Sequence, residues 1–134
     1  MPLRTRVLLT KPTQDAHDRG VRYLARKFRD AGFEVVFTNF LIANDVINTA
    51  VQEDVDVIGV SSSSGGHMPV MEELMEGMRS AGLEDVLIIV GGIIPDADAR
   101  QLRQEGLGAI FGPGSSAEDA IQYIRENVRD RGTI

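Results

Sequence analysis

Val86-Leu87-Ile88-Ile89-Val90-Gly91-Gly92 is a run of five apolar residues with no polar alternation, ended by two glycines. A strand with one solvated face alternates apolar and polar residues with a period of two. This run therefore reads as a strand buried on both faces, the kind found in a parallel sheet covered by helices. Four other short runs share its character: Val7-Leu8-Leu9, Val35-Val36-Phe37, Val57-Ile58-Gly59-Val60 and Ala109-Ile110-Phe111. Segments of helical period lie between them. Val21, Leu24, Ala25 and Phe28 recur at i, i+3, i+4 and i+7, and Gly32 stands where a left-handed C-cap is expected. Val46, Ile47, Ala50 and Val51 repeat the pattern. So do Val70, Leu74 and Met78, between Pro69 in a first turn and Gly82 at a stop, with the methionines read as core filler. Asp96 to Glu105 predicts a weaker surface helix whose main apolar residue is Leu102. Ser115-Ser116-Ala117-Glu118 predicts a capping box for the last helix, whose stripe is Ala120, Ile121, Ile124 and Val128. The tail from Arg129 to Ile134 is expected to fray.

Strands alternating with helices predict an α/β fold: a flavodoxin-like (Rossmann-like) five-stranded parallel sheet of order 2-1-3-4-5 with helices on both faces. At 134 residues the chain is expected to be a single domain, 1–134, with a core of about 4–128. Hydrophobic residues at 43% and charged residues at 25% are those of a packed globular protein. A formal net charge of -6 argues against a basic surface that tracks nucleic acid phosphates, so no nucleic acid is expected as a partner. No apolar run is long enough to span a bilayer, and Met1 to Lys11 lacks a secretory h-region, so no membrane is expected as a partner. Without cysteine there is neither a disulfide framework nor a thiolate nucleophile, and the cytoplasm is the expected compartment.

In the order 2-1-3-4-5 the strand order reverses between strands 1 and 3, and ligands bind at the carboxyl ends of the strands there. The segments at that point are Lys11 to Gly20 and Ser61 to His67. The first contains Asp15-x-His17-x-x-Gly20, a carboxylate two residues before an imidazole. The carboxylate can take one ring N–H and leave the other nitrogen free as a metal ligand. Strand 4 ends in Gly91-Gly92 and strand 5 in Gly112-Pro113-Gly114, so several strand ends on one rim are stripped of bulk. That suits a large flat or rod-like ligand lying against backbone. Other chemistries fit poorly. A phosphoacceptor receiver would need clustered acids where Lys11 and Ser61 stand, a dinucleotide site needs Gly-x-Gly-x-x-Gly after strand 1, and Gly59-Val60-Ser61-Ser62-Ser63 misses a hydrolase elbow. His67, at the mouth of the third helix, reads as a capping or packing residue.

Asp15-x-His17-x-x-Gly20 is followed after 40 residues (21 through 60) by Ser61-x-Ser63, and after 27 more (64 through 90) by Gly91-Gly92. This succession resembles the cobalamin-binding signature Asp-x-His-x-x-Gly, Ser-x-Leu, Gly-Gly. The likeness is to the cobalamin-binding domain or small subunit of adenosylcobalamin-dependent acyl-CoA mutases, the methylmalonyl-CoA mutase family. His17-Asp18-Arg19-Gly20, Gln52-Glu53-Asp54-Val55-Asp56-Val57-Ile58-Gly59, Gly91-Gly92-Ile93-Ile94-Pro95 and Ile110-Phe111-Gly112-Pro113-Gly114 also resemble that family. Two segments depart from its pattern: Ser63 stands in place of the leucine, and Thr13-Gln14-Asp15-Ala16 in place of Gly-Leu-Asp-Gly.

The resemblance implies a role for each matching position. His17 would be the lower ligand to the cobalt of cobalamin, replacing the cofactor's own benzimidazole, with Asp15 and then Lys11 tuning it through a hydrogen-bond relay. Ala16, His17, Asp18, Arg19, Gly20 and Leu24 would line the cofactor from the first segment and helix. Ser61, Ser63, Gly65, Gly91, Gly92, Phe111, Gly112 and Ser115 would pass the nucleotide tail along the sheet. The implied activity is isomerisation of an acyl-CoA by radical carbon-skeleton rearrangement with adenosylcobalamin. The implied partner is a large substrate-binding subunit of TIM-barrel type that holds most of the acyl-CoA, giving a hetero-oligomer in which this chain alone is inactive. A corrinoid carrier for methyl transfer and a non-enzymatic cobalamin-binding module are the alternatives.

Overall fold

Each apolar run becomes a strand and each periodic segment a helix in the computed structural model, which describes residues 4–12, 18–62, 67–112 and 114–129. The order is β1 (Arg6–Pro12), α1 (Asp18–Asp30), β2 (Glu34–Phe40), α2 (Ala43–Glu53), β3 (Val57–Ser62), α3 (His67–Ser80), β4 (Leu87–Gly92), α4 (Asp96–Gln104), β5 (Ala109–Phe111) and α5 (Ala117–Asn127). All neighbouring strands pair in parallel, in the order β2-β1-β3-β4-β5. That is the arrangement the sequence predicts. None of the described helices is long and apolar enough to cross a membrane.

Strand alternation divides the core in two. On one face Val7, Leu9, Val57 and Ile89 meet Val21, Ala25 and Phe28 of α1 and Ala120, Ile121 and Ile124 of α5. On the other, Leu8, Ile58, Ile88 and Val90 meet Val46 and Ala50 of α2, Met71, Leu74, Met75 and Met78 of α3, and Leu102 of α4. The central strands need apolar residues at both parities for this reason. Gly59 serves the packing too: a Cβ there would stand 2.8 Å from Leu9 Cδ2. Gly32 and Gly82 end α1 and α3 at φ 96° and 74°, as left-handed C-caps require.

Several local expectations are corrected. β2 is an edge strand whose Val35, Val36 and Phe37 are only partly covered. Val51 leaves the α2 stripe and is exposed. The cap of α5 lies one residue later than the spacing suggests: Ser116 Oγ accepts the Asp119 N–H at 3.2 Å, and Asp119 Oδ2 accepts the Ser116 N–H at 3.0 Å. Asp119 supplies the shorter carboxylate that closes this box, so Glu118 is not needed. α5 stops at Asn127, and Val128 is extended and half-buried rather than part of a helical stripe. Arg129 does not fray. Its guanidinium donates to Asp56, Asp85, Asp54 and the Val55 carbonyl. Residues 130–134 lie outside the described residues.

Candidate functional site

On the α1/α5 face of the sheet, side chains form rows across the strands. Leu9, Gly59, Ile89 and Ala109 are in register in one row, and Ser61, Gly91 and Phe111 form the next, nearer the carboxyl ends. These rows floor a cleft of about 270 Å³ beside the strand-order reversal between β1 and β3. Gly20, Val21, Tyr23 and Leu24 of α1 line one side; Gly112, Ser115, Ser116, Ala117 and Ala120 line the other. The Phe111 ring is set by an edge-on contact with Tyr123, centroids 6.0 Å apart.

The glycines at this site fall into two kinds. Gly92 and Gly114 have φ of 145° and 90°, where a side chain is strained. Gly20, Gly91 and Gly112 have ordinary backbone, and the protein leaves room beside them. Among the described residues, a Cβ at Gly20 meets nothing within 4 Å, one at Gly91 only the Phe111 carbonyl at 3.9 Å, and one at Gly112 only the Gly92 carbonyl at 3.8 Å. None of the described residues requires glycine there for space.

Among the described lining residues only Tyr23 carries a titratable group, and the Ser61, Ser115 and Ser116 hydroxyls supply most of the remaining side-chain polarity. Ser116 is already engaged as the α5 cap. An apolar slot with a few hydroxyls can hold and orient a flat group, but it has little to offer acid–base chemistry. Lys11, on the same strand face as Leu9, is 2% exposed, and its Nζ donates to the Pro12 carbonyl at 3.4 Å.

Of the residues expected from sequence, Gly20, Leu24, Ser61, Gly91, Phe111, Gly112 and Ser115 meet in this cleft. Gly92 ends β4 beside it, Arg19 is exposed in the first turn of α1, and Lys11 is buried near the end of β1. Asp15, Ala16, His17, Ser63 and Gly65 lie outside the described residues, as does the side chain of Asp18, which opens α1. Sequence reasoning missed Tyr23, Ala117 and the inner row Leu9, Gly59 and Ile89, and it placed Val21 and Ala120 only in core stripes. A stripe whose members shrink to Ala117 and Ala120 at one end was the available sign that α5 leaves space there.

A family model described as "B12 binding domain" matches residues 5–122. The pivalyl-CoA mutase small subunit of Xanthobacter autotrophicus is 42% identical over 120 residues, spanning 89% of this chain and 80% of that protein. The 2-hydroxyisobutanoyl-CoA mutase small subunit of Aquincola tertiaricarbonis is 40% identical over 128 residues, spanning 95% and 94%. Methylmalonyl-CoA mutase of Cereibacter sphaeroides is 39% identical over 128 residues, but this chain spans only 18% of that longer protein.

Proposed function

This chain belongs to the B12-binding domain family, and on that premise we propose that it is the cobalamin-binding subunit of a heteromeric acyl-CoA mutase working in the cytoplasm. The cleft between α1, α5 and the strand ends carries this reading, because it suits the nucleotide tail of a cobalamin whose base has left the cobalt. Its apolar floor can stack a heteroaromatic base, Ser61 offers a hydroxyl to it, and Gly20, Gly91 and Gly112 leave the backbone open to ribose and phosphate. His17, directly before α1 in sequence, is the lower ligand to cobalt in this proposal. Asp15 holds the second ring nitrogen, and buried Lys11 supports that pair. When bound as adenosylcobalamin, the cofactor supplies the radical chemistry, and the protein binds, orients and shields it.

Gly20 offers a test in which stability and binding move in opposite directions. Gly20→Leu replaces glycine inside a helix and should stabilise the ligand-free protein by about 0.5–1 kcal/mol. Among the described residues nothing stands within 4 Å of a Cβ at Gly20, which lines the cleft, so the leucine should enter the cleft and weaken cobalamin binding. Thermal melts and absorbance titration of the same variant measure the two effects.

A partner is also part of the proposal. The likeness to the small subunits of pivalyl-CoA mutase and 2-hydroxyisobutanoyl-CoA mutase, matched over 80% and 94% of their lengths, supports a separate large subunit, of TIM-barrel type, that holds the acyl-CoA. Support comes from where apolar side chains meet water. Among the described residues five large ones are exposed; Tyr23 lines the cleft, and Leu41, Ile42 and Ile93 follow the carboxyl ends of β2 and β4, at the same end of the sheet as the cleft. The turn that exposes Leu41 and Ile42 is fixed, since Asp45 Oδ2 accepts their backbone N–H groups at 3.0 and 3.2 Å. Analytical ultracentrifugation of this chain with the large subunit should show tighter association when adenosylcobalamin is present, as linkage requires of a ligand shared by both. Ile93→Asp should weaken that association roughly tenfold or more while cobalamin titration stays unchanged. Association indifferent to the cofactor would contradict the shared site.

A further inference from the structure

At the end of the sheet opposite the site, one guanidinium gathers three carboxylates. Arg129 donates from Nε to Asp56 Oδ1 (2.8 Å), from Nη1 to Asp85 Oδ2 (2.8 Å), and from Nη2 to Asp54 Oδ1 (3.3 Å) and the Val55 carbonyl (3.2 Å). Asp56 is fully buried just ahead of β3, and its second carboxylate oxygen accepts the Arg6 backbone N–H at 2.8 Å. Its own N–H donates to the Arg6 carbonyl, and its carbonyl accepts the Leu87 N–H. Asp56 is thereby stitched to the first residues of β1 and β4, and Asp85 stands two residues before β4. Through Arg129 the end of α5 is tied to the roots of β3 and β4. The other ends of those strands, Ser61 and Gly91, floor the cleft.

The wall that α5 contributes is held unevenly. At the cleft its contacts come from small residues, Ala117 and Ala120. Ile121 and Ile124 pack farther along, and the last turn adds a polar tie: Arg125 Nη2 donates to the Ala31 carbonyl at 3.0 Å, with its guanidinium 5.8 Å from the Phe33 ring centre. From Ala117 to Asn127 the helix runs roughly 15 Å at helical rise, and Arg129 follows two residues beyond it. A small rotation at the anchored end therefore becomes a displacement at the cleft.

We propose that Arg129, acting with Asp56 and Asp85, is a positioning residue for the nucleotide-tail cleft: it fixes where the α5 wall stands over the Ser61–Gly91–Phe111 floor. It sets affinity for the tail without touching it, a role that rests on the cleft's taking the tail of cobalamin. The fork geometry of arginine is needed, because one lysine ammonium cannot present three directed N–H groups to acceptors arranged around a plane.

Cobinamide, the same corrin without the nucleotide tail, separates positioning from general destabilisation. Wild type, Arg129→Met, Arg129→Lys and Asp85→Asn would each be titrated with cobalamin and cobinamide. Arg129→Met should lower cobalamin affinity roughly three- to thirty-fold, the range for coupling through packed elements, and leave cobinamide affinity unchanged. Arg129→Lys should fall between it and wild type. Asp85→Asn, which leaves buried Asp56 paired and secures a folded variant, should shift the cobalamin-to-cobinamide preference in the same direction by less. A preference unchanged in both Arg129→Met and Asp85→Asn, or equal losses for both corrinoids, overturns the positioning role. Wild type that binds neither corrinoid overturns the cobalamin assignment itself, a result distinct from either.

Discussion

His17→Ala protein is expected to bind cobalamin more than about 100-fold more weakly than wild type, since removing even an outer partner of a metal ligand typically costs about 10–100-fold. Asp15→Asn should fall within that smaller range, because asparagine can still orient the imidazole but no longer raises its basicity. Electron paramagnetic resonance of the Co(II) form separates the two. With uniformly 15N-labelled chain and unlabelled cofactor, protein ligation gives doublet nitrogen splitting, whereas retained benzimidazole gives the triplet of 14N. Wild type and Asp15→Asn should show the doublet, and His17→Ala should lose it. A triplet in wild type would mean that the cofactor keeps its own base on cobalt.

Asp56→Ala should destabilise the protein by about 2–4 kcal/mol, the cost of leaving the Arg6 N–H and one guanidinium N–H without their acceptor while Arg129 keeps Asp85 and Asp54. That is a large share of the roughly 5–15 kcal/mol that holds a domain folded. Asp56 is 0% exposed, and both its carboxylate oxygens are occupied, by Arg129 Nε and the Arg6 N–H. Alanine strands both donors at once. Urea unfolding measures the loss, with a lowered midpoint and an unchanged slope. Asp85→Asn should cost far less, because Asp85 is largely exposed and its contact with Arg129 is screened by solvent. The hydrogen bond from Arg129 holds the Asp85 carboxyl below its ordinary value of 3.8. Its contribution to stability is therefore present above that pH and lost as pH falls further, so the urea midpoints of wild type and Asp85→Asn should converge in acid.

The strand order and the two-sided burial of the central strands follow from runs such as Val57 to Val60 and Val86 to Val90. Parity makes an unbroken apolar run legible as a doubly covered strand. The position of the cleft follows as well, since order 2-1-3-4-5 fixes the reversal point and the glycines at 91 and 112 mark that rim. Arg129 was not legible. An arginine after the last helix has no periodic signal, and its acceptors, Asp54, Asp56 and Asp85, are distant from it in sequence. Tyr23 escaped for a different reason: on the helical pattern of α1 it lies off the buried stripe, and only the neighbouring sheet edge turns that exposed position into a cleft wall. The Ser116 cap was displaced by one because Ser115 and Ser116 fit the motif equally well until Asp119 selects between them.

A chain that carries the cobalamin of an acyl-CoA mutase, with the substrate site on another subunit, should be inactive by itself. Acyl-CoA isomerisation with adenosylcobalamin would be measured for this chain, for the large subunit and for their mixture. Carbon-skeleton rearrangement in the mixture and in neither chain alone is the predicted result. Turnover by this chain alone, or a mixture that leaves acyl-CoA unchanged while this chain passes a methyl group from cobalt to a thiol or folate, would contradict it.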